Sequence, residues 1–417
     1  MIEHDIDVLV IGAGPAGLAA AISARENGIH SLLVLEREKD AGGILRQCIH
    51  NGFGLHRFRQ ELTGPEYAQR DIDRAAELGI EIECSATVLS VSSDHAVTFV
   101  SSSKGLQVIH AKAIVLAMGC RERPRGALCT PGTRCSGIYT AGTAQRFVNL
   151  EGLMPGKRVV ILGSGDIGLI MARRMTLQGA KVLACVEIMP YSSGLNRNIV
   201  QCLQDYDIPL YLSHTVTNIR GRDRLEGVTV AEVDEKRNTI PGTEIEFDCD
   251  TLLLSCGLIP ENELSLGAGV EISPSTSGAV VTETFETSVP GIFACGNVLH
   301  VHDLVDHVSK ESFRAGAAAA SFVRNNRHTG SVILVRDGEG VRGTVPQKIH
   351  DDTDQPVDLM FRPSAVFRNR AAVVECGGNE LVRKKAMIFT PGEMALVTIT
   401  PEMLKNRTAD SITVRIE

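Results

Sequence analysis

The sequence predicts an α/β protein that contains two β-α-β units, each on a parallel sheet, and a small β-rich region at its C-terminal end. Three observations predict this class. Two glycine-rich turns follow the short apolar runs VLVI and VVIL, and each turn opens a stretch with helical periodicity. After residue 330 the pattern changes to alternating Val, Ile and Thr interrupted by Gly and Pro, which is typical of short strands.

The two turns read GAGPAG and GSGDIG. Their glycines are Gly12, Gly14 and Gly17 in the first turn, and Gly163, Gly165 and Gly168 in the second. In a strand-turn-helix context the first glycine permits the tight turn, the second lets a pyrophosphate approach, and the third lets helix pack on strand. The helix N-terminus supplies free N–H donors and the positive end of its dipole. Two such turns predict two bound dinucleotides and electron transfer between them.

Each turn has an acidic partner at the same distance. Glu36 stands 19 residues after Gly17, and Glu187 stands 19 residues after Gly168. Each glutamate ends an apolar strand-like run, where a carboxylate accepts hydrogen bonds from the ribose hydroxyls of the adenosine. Glu187 also repels a 2′-phosphate, and the following residues, 188–190, offer no cation. The second site is therefore predicted to prefer NADH, although Arg173 and Arg197 are near in sequence.

Composition and charge exclude several functional classes. The chain has 417 residues and a net charge of −8, and it shows no basic stripe for nucleic acid. No run reaches the roughly eighteen apolar residues of a transmembrane helix. The start MIEHDID has no basic segment typical of a signal peptide. The eleven cysteines show no CxxC spacing, so reduced thiols and a cytoplasmic location are expected.

The pattern along the chain predicts four segments. Residues 1–125 and residues 126–255 each contain one β-α-β unit, and the family resemblance given in the next paragraph implies that the first is half of an FAD-binding domain and the second an NAD(H)-binding domain inserted into it. The second half of the FAD-binding domain covers 256–330, and a β-rich domain covers 331–417. Both dinucleotide-binding domains are expected to be Rossmann-like. The β-rich tail is expected to contact its own chain, a second copy or a partner.

Residues 5–326 resemble the flavin-dependent pyridine nucleotide-disulfide oxidoreductases, the superfamily of thioredoxin and glutathione reductases. The resemblance rests on GAGPAG with Glu36, on Ala41-Gly42-Gly43, on LAMG at 116–119 and on TSVPGIFACGN at 287–297. It implies FAD in the first site and NAD(H) in the second. Asn297 stands where the superfamily usually has Asp, so an amide replaces a charge near the flavin.

The resemblance also implies which residues contact the cofactors. Besides the six glycines and two glutamates, the predicted contacts are Pro15, Ala16, Arg37, Gly43, Ile44, Gln47, Val88, Ala117, Gly119, Asp166, Ile167, Gly257, Gly296, Asn297, His307 and Val308. The sequence DHVSKE at 306–311 corresponds to the helix whose N-terminus faces the flavin. The backbone of His307 and Val308 is therefore expected to stabilise reduced flavin.

The superfamily's redox dithiol is missing. Thioredoxin reductases carry a C-x-x-C pair before the second turn, but SGIYTAGTAQRF at 136–147 contains no cysteine. Glutathione-type reductases carry a C-x4-C pair after the first β-α-β unit, where this chain has only Cys48. Cys48 is a candidate redox thiol or a buried thiol near the flavin. Cys129 and Cys135 lie close together in a loop, as reduced thiols or as a disulfide.

A narrower resemblance accounts for the missing dithiol. The strings GGILRQCIHNGFG, TAGTAQRFVN and VLHVHDLVDHVS are similar to FAD/NAD subunits of multi-subunit glycerol-3-phosphate, proline and opine dehydrogenases and of hydrogen cyanide synthase. The implied partner is a second flavoprotein dehydrogenase, with a homo-oligomer as the alternative.

Three histidines near residue 300 admit three interpretations. His300, His302 and His307 form a metal-free polar loop, a proton relay that includes His307, or a zinc site with Asp303 and Asp306. Hydride transfer between two cofactors needs no metal, so no metal site is predicted.

Three functional hypotheses remain. The first is an NADH-linked flavoprotein subunit that passes electrons to a partner, the second a stand-alone NADH oxidase or disulfide reductase that uses Cys48, and the third a non-catalytic subunit with structural nucleotides. The missing dithiol favours the first hypothesis over the second. Two complete turns with acidic partners favour it over the third.

Overall fold

A computed structural model describes residues 2–325, 330–405 and 408–417. The chain divides into two compact units, of which the first contains Met1–Cys120 and Pro260–Glu417 and the second contains Arg121–Ile259. Residues 331–417 therefore belong to the same unit as the first glycine turn. In the described part of the chain, no helix is long and apolar enough to span a membrane.

The first unit is built around a seven-stranded sheet. Its N-terminal elements are β1 (Ile2–Ile11), α1 (Pro15–Glu26), β2 (Leu32–Leu35), β3 (Asn51–Phe53), β4 (Leu62–Thr63), α2 (Gly64–Glu77), β5 (Glu81–Glu83), β6 (Ala86–Val91), β7 (Ala96–Ser101) and β8 (Gly105–Leu116). The sheet order is β5-β2-β1-β8-β7-β6; β5, β2, β1 and β8 are parallel, and β7 and β6 are antiparallel. Val8, Leu9 and Val10 are fully buried, as expected for a central parallel strand that is covered on both faces.

The second unit contains the second glycine turn. Its elements are β9 (Cys120–Glu122), α3 (Arg125–Leu128), β10 (Ile138–Thr140), α4 (Ala141–Arg146), β11 (Arg158–Leu162), α5 (Asp166–Leu177), β12 (Lys181–Val186), α6 (Asn196–Cys202), β13 (Leu210–Tyr211), β14 (His214–Gly221), β15 (Leu225–Glu232), β16 (Ile245–Phe247), β17 (Thr251–Leu254) and β18 (Leu258–Pro260). A five-stranded parallel sheet has the order β10-β17-β11-β12-β13, and β14-β15-β16 form an antiparallel sheet.

The chain then completes the first unit. The elements are α7 (Glu263–Gly267), β19 (Ile292–Ala294), which pairs in parallel with β8, and the long helix α8 (Val305–Val323). Small residues bring α8 close to α1. A Cβ on Gly316 would lie 2.1 Å from the Ala20 carbonyl oxygen, so the glycine and alanine run in α8 permits a near backbone contact.

Residues 332–416 form two small sheets, and the predicted α/β class with an added β-rich C-terminal region is confirmed. The elements are β20 (Val332–Asp337), β21 (Val341–Val345), β22 (Lys348–His350), β23 (Val357–Pro363), β24 (Phe367–Cys376), β25 (Asn379–Phe389), β26 (Ala395–Ile399), α9 (Pro401–Lys405) and β27 (Ser411–Ile416). The sheet orders are β22-β20-β27-β24-β25 and β21-β23-β26.

The tail packs on the rest of its own unit. Lys310 in α8 forms a 2.7 Å ion pair with Asp358, and His350 lies 3.1 Å from the Glu283 carboxylate. Arg362 donates to the Val301 carbonyl at 2.9 Å and pairs with Asp303. Of the three surfaces expected from the sequence, the structure therefore includes the contact with the tail's own chain.

Candidate functional site

The first glycine turn lies between β1 and α1. Gly12 has φ +104°, and a Cβ there would lie 2.5 Å from the Ala117 carbonyl oxygen. A Cβ on Gly17 would lie 1.7 Å from the Gly12 carbonyl oxygen. Gly14 is different, because its φ is −75° and the nearest atom to a Cβ would be the Gly43 Cα at 3.9 Å. Gly12 and Gly17 shape the turn, whereas Gly14 leaves open space at the N-terminus of α1, where a pyrophosphate fits.

The second turn, between β11 and α5, repeats this pattern. A Cβ on Gly163, which has φ +101°, would lie 2.0 Å from the Ser255 carbonyl oxygen. A Cβ on Gly168 would lie 2.7 Å from the Gly163 carbonyl oxygen, but one on Gly165 would meet only Ser193 Oγ at 3.7 Å. The middle glycine again leaves room at a helix N-terminus.

Both predicted glutamates face their turns. Glu36 Oε2 accepts from the Ala13 N–H at 2.7 Å, and Oε1 accepts from the Glu38 N–H at 2.9 Å. Each carboxylate oxygen has two lone pairs, so both oxygens of Glu36 keep capacity for a ribose hydroxyl. The side chain is almost buried, and its orientation is therefore set by the turn.

Glu187 differs from Glu36 in that it accepts a side-chain hydroxyl as well as backbone N–H groups. Its Oε2 accepts both the N–H and the hydroxyl of Ser164, at 2.9 and 2.6 Å, and its Oε1 accepts the Met189 N–H at 3.0 Å. Both lone pairs of Oε2 are therefore used, and only Oε1 keeps capacity. Sequence reasoning missed Ser164, although it stands between the first two glycines of the turn.

A cavity of about 690 Å³ opens beside the second turn and has the size of a small-molecule site. It is lined by Arg123, Leu128, Cys129, Thr130, Pro131, Leu162, Gly163, Glu187, Ile188, Ser193, Thr215, Val216, Thr217, Thr239, Ser255, Cys256 and Gly257. Gly163, Glu187 and Gly257 come from the predicted set. The loop at 128–131 and the strand at 215–217 are new, and nothing in the local pattern marked them.

A cation lies behind Glu187, where the sequence offered none. Arg237 Nη2 lies 3.6 Å from Met189 Sδ. Arg173, one of the two cations near in sequence, instead donates to Tyr206 Oη at 3.3 Å. Arg237 is 48 residues from Met189 in the chain, so the local pattern could not indicate it.

Two other predicted residues of the second turn lie at the start of α5. Asp166 Oδ1 accepts from the Leu195 N–H at 2.8 Å and from Asn198 Nδ2 at 2.7 Å. This carboxylate holds the loop before α6 against the turn. Ile167 packs against the apolar core of the second unit.

The loop after β2 lies on the first turn. The Gly42 N–H donates to the Ala13 carbonyl at 2.8 Å, and a Cβ on Gly43 would lie 2.8 Å from the Gly14 Cα. Among the predicted contacts in this region, Gln47 is buried and Ile44 is 58% exposed. Arg37 is also exposed.

The ends of β8 and β19 meet the same turn. The Ala117 N–H donates to the Ile11 carbonyl at 2.9 Å, and a Cβ on Gly296 would lie 2.6 Å from the Ala16 Cβ. Gly119, shortly after β8, has φ +75°. Of the other predicted contacts, Pro15 opens α1, and Val88 in β6 packs against the apolar core.

The Asn297 side chain forms hydrogen bonds that stabilise the loop in which it lies. Its Oδ1 accepts from the His302 N–H at 3.0 Å, and its Nδ2 donates to Cys120 Sγ at 3.6 Å. The residue is half-buried. The amide therefore makes hydrogen bonds that a carboxylate at this position could make only in part, since a carboxylate has no N–H to donate.

The N-terminus of α8 carries the predicted flavin-facing backbone. The N–H groups of His307 and Val308 both donate to the Leu304 carbonyl, at 3.1 and 3.4 Å. Burial, together with His302 and His56, lowers the pKa of His307. The two earlier N–H groups, of Val305 and Asp306, are the first of the helix and have no intrahelical acceptor.

Cys48 is half-buried, and its thiol is largely desolvated. Burial raises its pKa to about 12, and Sγ donates to the Ile44 carbonyl at 3.4 Å. The neighbouring cation Arg46 is paired with Asp40 at 2.7 Å. Little thiolate forms at neutral pH, which favours the interpretation of Cys48 as a packing residue. Cys129 and Cys135, like the other cysteines, are thiols and not disulfides.

His300 and His302 lie close to Glu311, a residue that was not among the predicted site residues. His300 Nε2 lies 2.6 Å and His302 Nε2 lies 3.3 Å from Glu311 Oε2. All three side chains are buried. His307 lies outside this group of ligand atoms, as do Asp303 and Asp306.

Comparison with known proteins identifies the family. Residues 6–312 match the family model of the pyridine nucleotide-disulphide oxidoreductases. The chain belongs to this family. It is a flavin-dependent oxidoreductase, and its cofactors are FAD and a nicotinamide dinucleotide, which fit the two open turns and their paired glutamates.

Two similar curated proteins are subunits. One is an opine oxidase subunit of Agrobacterium tumefaciens, which is 26% identical over 64% of this chain and 55% of its own length. The other is the hydrogen cyanide synthase subunit HcnB of Pseudomonas protegens, which is 23% identical over 70% of this chain and 66% of its own length. The chain thus spans between half and two thirds of these relatives.

A solved structure shares the fold. Thioredoxin reductase of T. acidophilum superposes with a TM-score of 0.63 at 25% identity, covering 76% of this chain and 98% of that protein. Because nearly all of the reductase is covered and a quarter of this chain is not, this chain contains a region that the reductase lacks.

Proposed function

We propose that this protein transfers hydride between NAD(H) and FAD and exchanges the electrons with a second flavoprotein dehydrogenase, without a thiol of its own. The observation that carries the proposal is the combination of two complete dinucleotide turns with the lack of a redox dithiol. None of the eleven cysteines forms a disulfide, and burial raises the pKa of Cys48, the candidate redox thiol, to about 12.

The protein's own groups bind and orient the two dinucleotides. The open N-terminus of α1 receives one pyrophosphate and that of α5 the other, while Glu36 and Glu187 accept the ribose hydroxyls. FAD supplies a carrier for two electrons when it is bound. The first N–H groups of α8, at Val305 and Asp306, direct positive partial charge toward the flavin, with His307 and Val308 continuing that turn.

NADH is the proposed nucleotide. Glu187 keeps one oxygen for the ribose and repels a 2′-phosphate. Arg237 behind Met189 works in the opposite direction, because a guanidinium is a good phosphate ligand. The Glu187 carboxylate accepts two hydrogen bonds from Ser164 in the turn, whereas the Arg237 guanidinium lies at Met189, two residues farther along the chain, so the repulsion by Glu187 decides the preference.

The similar proteins support electron transfer to a partner subunit. Opine oxidase and hydrogen cyanide synthase are multi-subunit systems, and the similar chains are one subunit of each. A stand-alone disulfide reductase would need a reactive thiol, and the high pKa of Cys48 opposes that role. The cytoplasm, which keeps thiols reduced, is the compartment that suits eleven cysteines without a disulfide.

The test compares two classes of electron acceptor. Anaerobic FAD-loaded protein is reduced with NADH and then mixed either with a disulfide such as oxidised lipoamide or with a flavin-type or quinone-type acceptor. We expect reoxidation by the second class of acceptor only, and the same result for Cys48→Ser. Rapid reoxidation by the disulfide that disappears in Cys48→Ser would overturn the proposal.

A further inference from the structure

A buried cluster outside both glycine turns is composed of ligand-type side chains. We call it the His-His-Glu cluster: His300 and His302, from the loop before α8, and Glu311, from the second turn of that helix. One ligand atom of each residue lies within 4.8 Å of the others. No metal is predicted here from the sequence, because hydride transfer between two cofactors needs none.

The charge of the cluster is not balanced by a strong cation. The Glu311 side chain is buried, and its Oε2 lies 2.6 Å from His300 Nε2 and 3.3 Å from His302 Nε2. The ion pairs that Glu311 makes with other described residues involve only the two histidines. A buried carboxylate without a fixed positive charge is costly.

His302 adds an independent observation. Its side chain is only 1% exposed, and neither ring nitrogen has a hydrogen-bond partner among the described residues. Neither nitrogen is accessible to solvent, so neither faces an open cofactor site. Its Nε2 lies 3.3 Å from Glu311 Oε2. Buried polar atoms usually have a partner, so the two buried ring nitrogens of His302 require an explanation.

We propose that His300 Nε2, His302 Nε2 and Glu311 Oε2 bind a divalent transition-metal ion, and that zinc is its natural occupant. Two imidazoles and one carboxylate form a ligand set that zinc uses in proteins. The ion neutralises Glu311 and gives His302 a partner. The role is structural, because Glu311 Oε1 also accepts from the Gly296 N–H at 2.6 Å and the His302 N–H donates to Asn297.

The metal would therefore fix the loop that follows β19 against α8. This loop includes Gly296 and Asn297, which belong to the predicted FAD contacts. The proposal does not depend on the electron acceptor, so it can fail while the proposed function stands. A direct contact between His302 and Glu311 without an ion is the competing account, and the metal content distinguishes the two.

The experiment measures metal in tag-free, full-length, FAD-loaded protein. After incubation with zinc and gel filtration into metal-free buffer, we expect about one zinc per chain, with nitrogen and oxygen ligands at about 2.0–2.1 Å in X-ray absorption. His302→Gln and Glu311→Gln should lower the zinc content at least fivefold. His350→Gln is the matched control, because His350 also pairs with a buried carboxylate, that of Glu283, but is not part of the His-His-Glu cluster, and this variant should keep its zinc.

Two results would overturn the proposal. One is a wild-type protein with less than about a tenth of a metal ion per chain after the incubation. The other is full zinc content in both His302→Gln and Glu311→Gln. If either variant fails to fold, as judged by FAD content, the wild-type stoichiometry and the imidazole signal in the absorption spectrum decide the question alone.

Discussion

The two glycine turns share their steric construction but differ in how they use their glutamates. In each turn the outer glycines lie against backbone, and the middle glycine faces open space. Glu36 receives one hydrogen bond on each oxygen, whereas Oε2 of Glu187 receives two from Ser164. The glycine spacing therefore fixes the shape of the turn, and the residue between the first two glycines sets how much carboxylate is left for a ribose.

The largest effect is expected at the outer glycines. Gly17→Ala places its Cβ 1.7 Å from the Gly12 carbonyl oxygen, so we expect a loss of more than about 4 kcal/mol in the free energy of unfolding. Gly14→Ala, which meets only Gly43, should change it by less than about 1 kcal/mol. Thermal unfolding of both variants measures this, and equal destabilisation would contradict the steric comparison.

Bulk at the middle glycines should separate the two cofactors. Gly14→Trp is expected to lose FAD, and Gly165→Trp is expected to keep FAD but to bind NADH at least about a hundredfold more weakly, which is about 2.7 kcal/mol. The reason is that each side chain fills the space left for a pyrophosphate. Flavin absorbance and the rate of flavin reduction report the two losses. A Gly14→Trp protein that retains all its FAD would show that the first turn does not hold the cofactor.

Removing the negative charge of Glu187 should weaken NADH binding. For Glu187→Gln we expect about a tenfold rise in the NADH concentration that half-saturates flavin reduction, or about 1.4 kcal/mol. Glu187→Arg should narrow or reverse the preference over NADPH. Arg237→Ala is the companion variant and should lower NADPH use further. A wild-type protein that prefers NADPH tenfold would show that Arg237 outweighs Glu187.

Exchanging Ala13 and Ser164, the residues between the first two glycines of each turn, gives the sharpest test of the difference in hydrogen bonding between Glu36 and Glu187. Ser164→Ala frees a lone pair on Glu187 Oε2 and should strengthen NADH binding by about two- to tenfold, the range of one hydrogen bond. Ala13→Ser, the reciprocal change, should weaken FAD binding by a similar factor. Cofactor titrations measure both. Opposite signs, or no change in either variant, would contradict the lone-pair account.

The smallest effect is expected outside both turns. Cys48→Ser should change the rate of flavin reduction by NADH by less than about twofold, because hydride transfer between two cofactors needs no thiol. Stopped-flow absorbance at the flavin band measures this rate. A large decrease with unchanged FAD content would give Cys48 a role in the reaction.

Local patterns made the turns predictable. Gly12, Gly14 and Gly17 lie within six consecutive residues, and the distance to Glu36 is set by one helix and one strand. The same holds for the second turn. A feature whose geometry is fixed by one β-α-β unit can thus be read from the order of residues.

Contacts between distant segments could not be predicted in this way. The loop at 128–131 and the cation Arg237 reach the second site from other elements of the unit. Glu311 lies beside His300 because α8 places its second turn next to the preceding loop, whereas the residue spacing indicated Asp303 and Asp306 as the carboxylates near the histidines. Such contacts depend on how helices and loops pack against each other, which residue spacing alone does not specify.

The central claim is that electrons pass between NAD(H) and FAD without a redox-active thiol, and an anaerobic reductive titration tests it most directly. The account predicts that the oxidised protein takes up one two-electron equivalent per FAD, with no spectral lag before the flavin bleaches. The Cys48→Ser variant should give the same titration curve. Uptake of two equivalents per FAD, with one of them lost in Cys48→Ser, would contradict it.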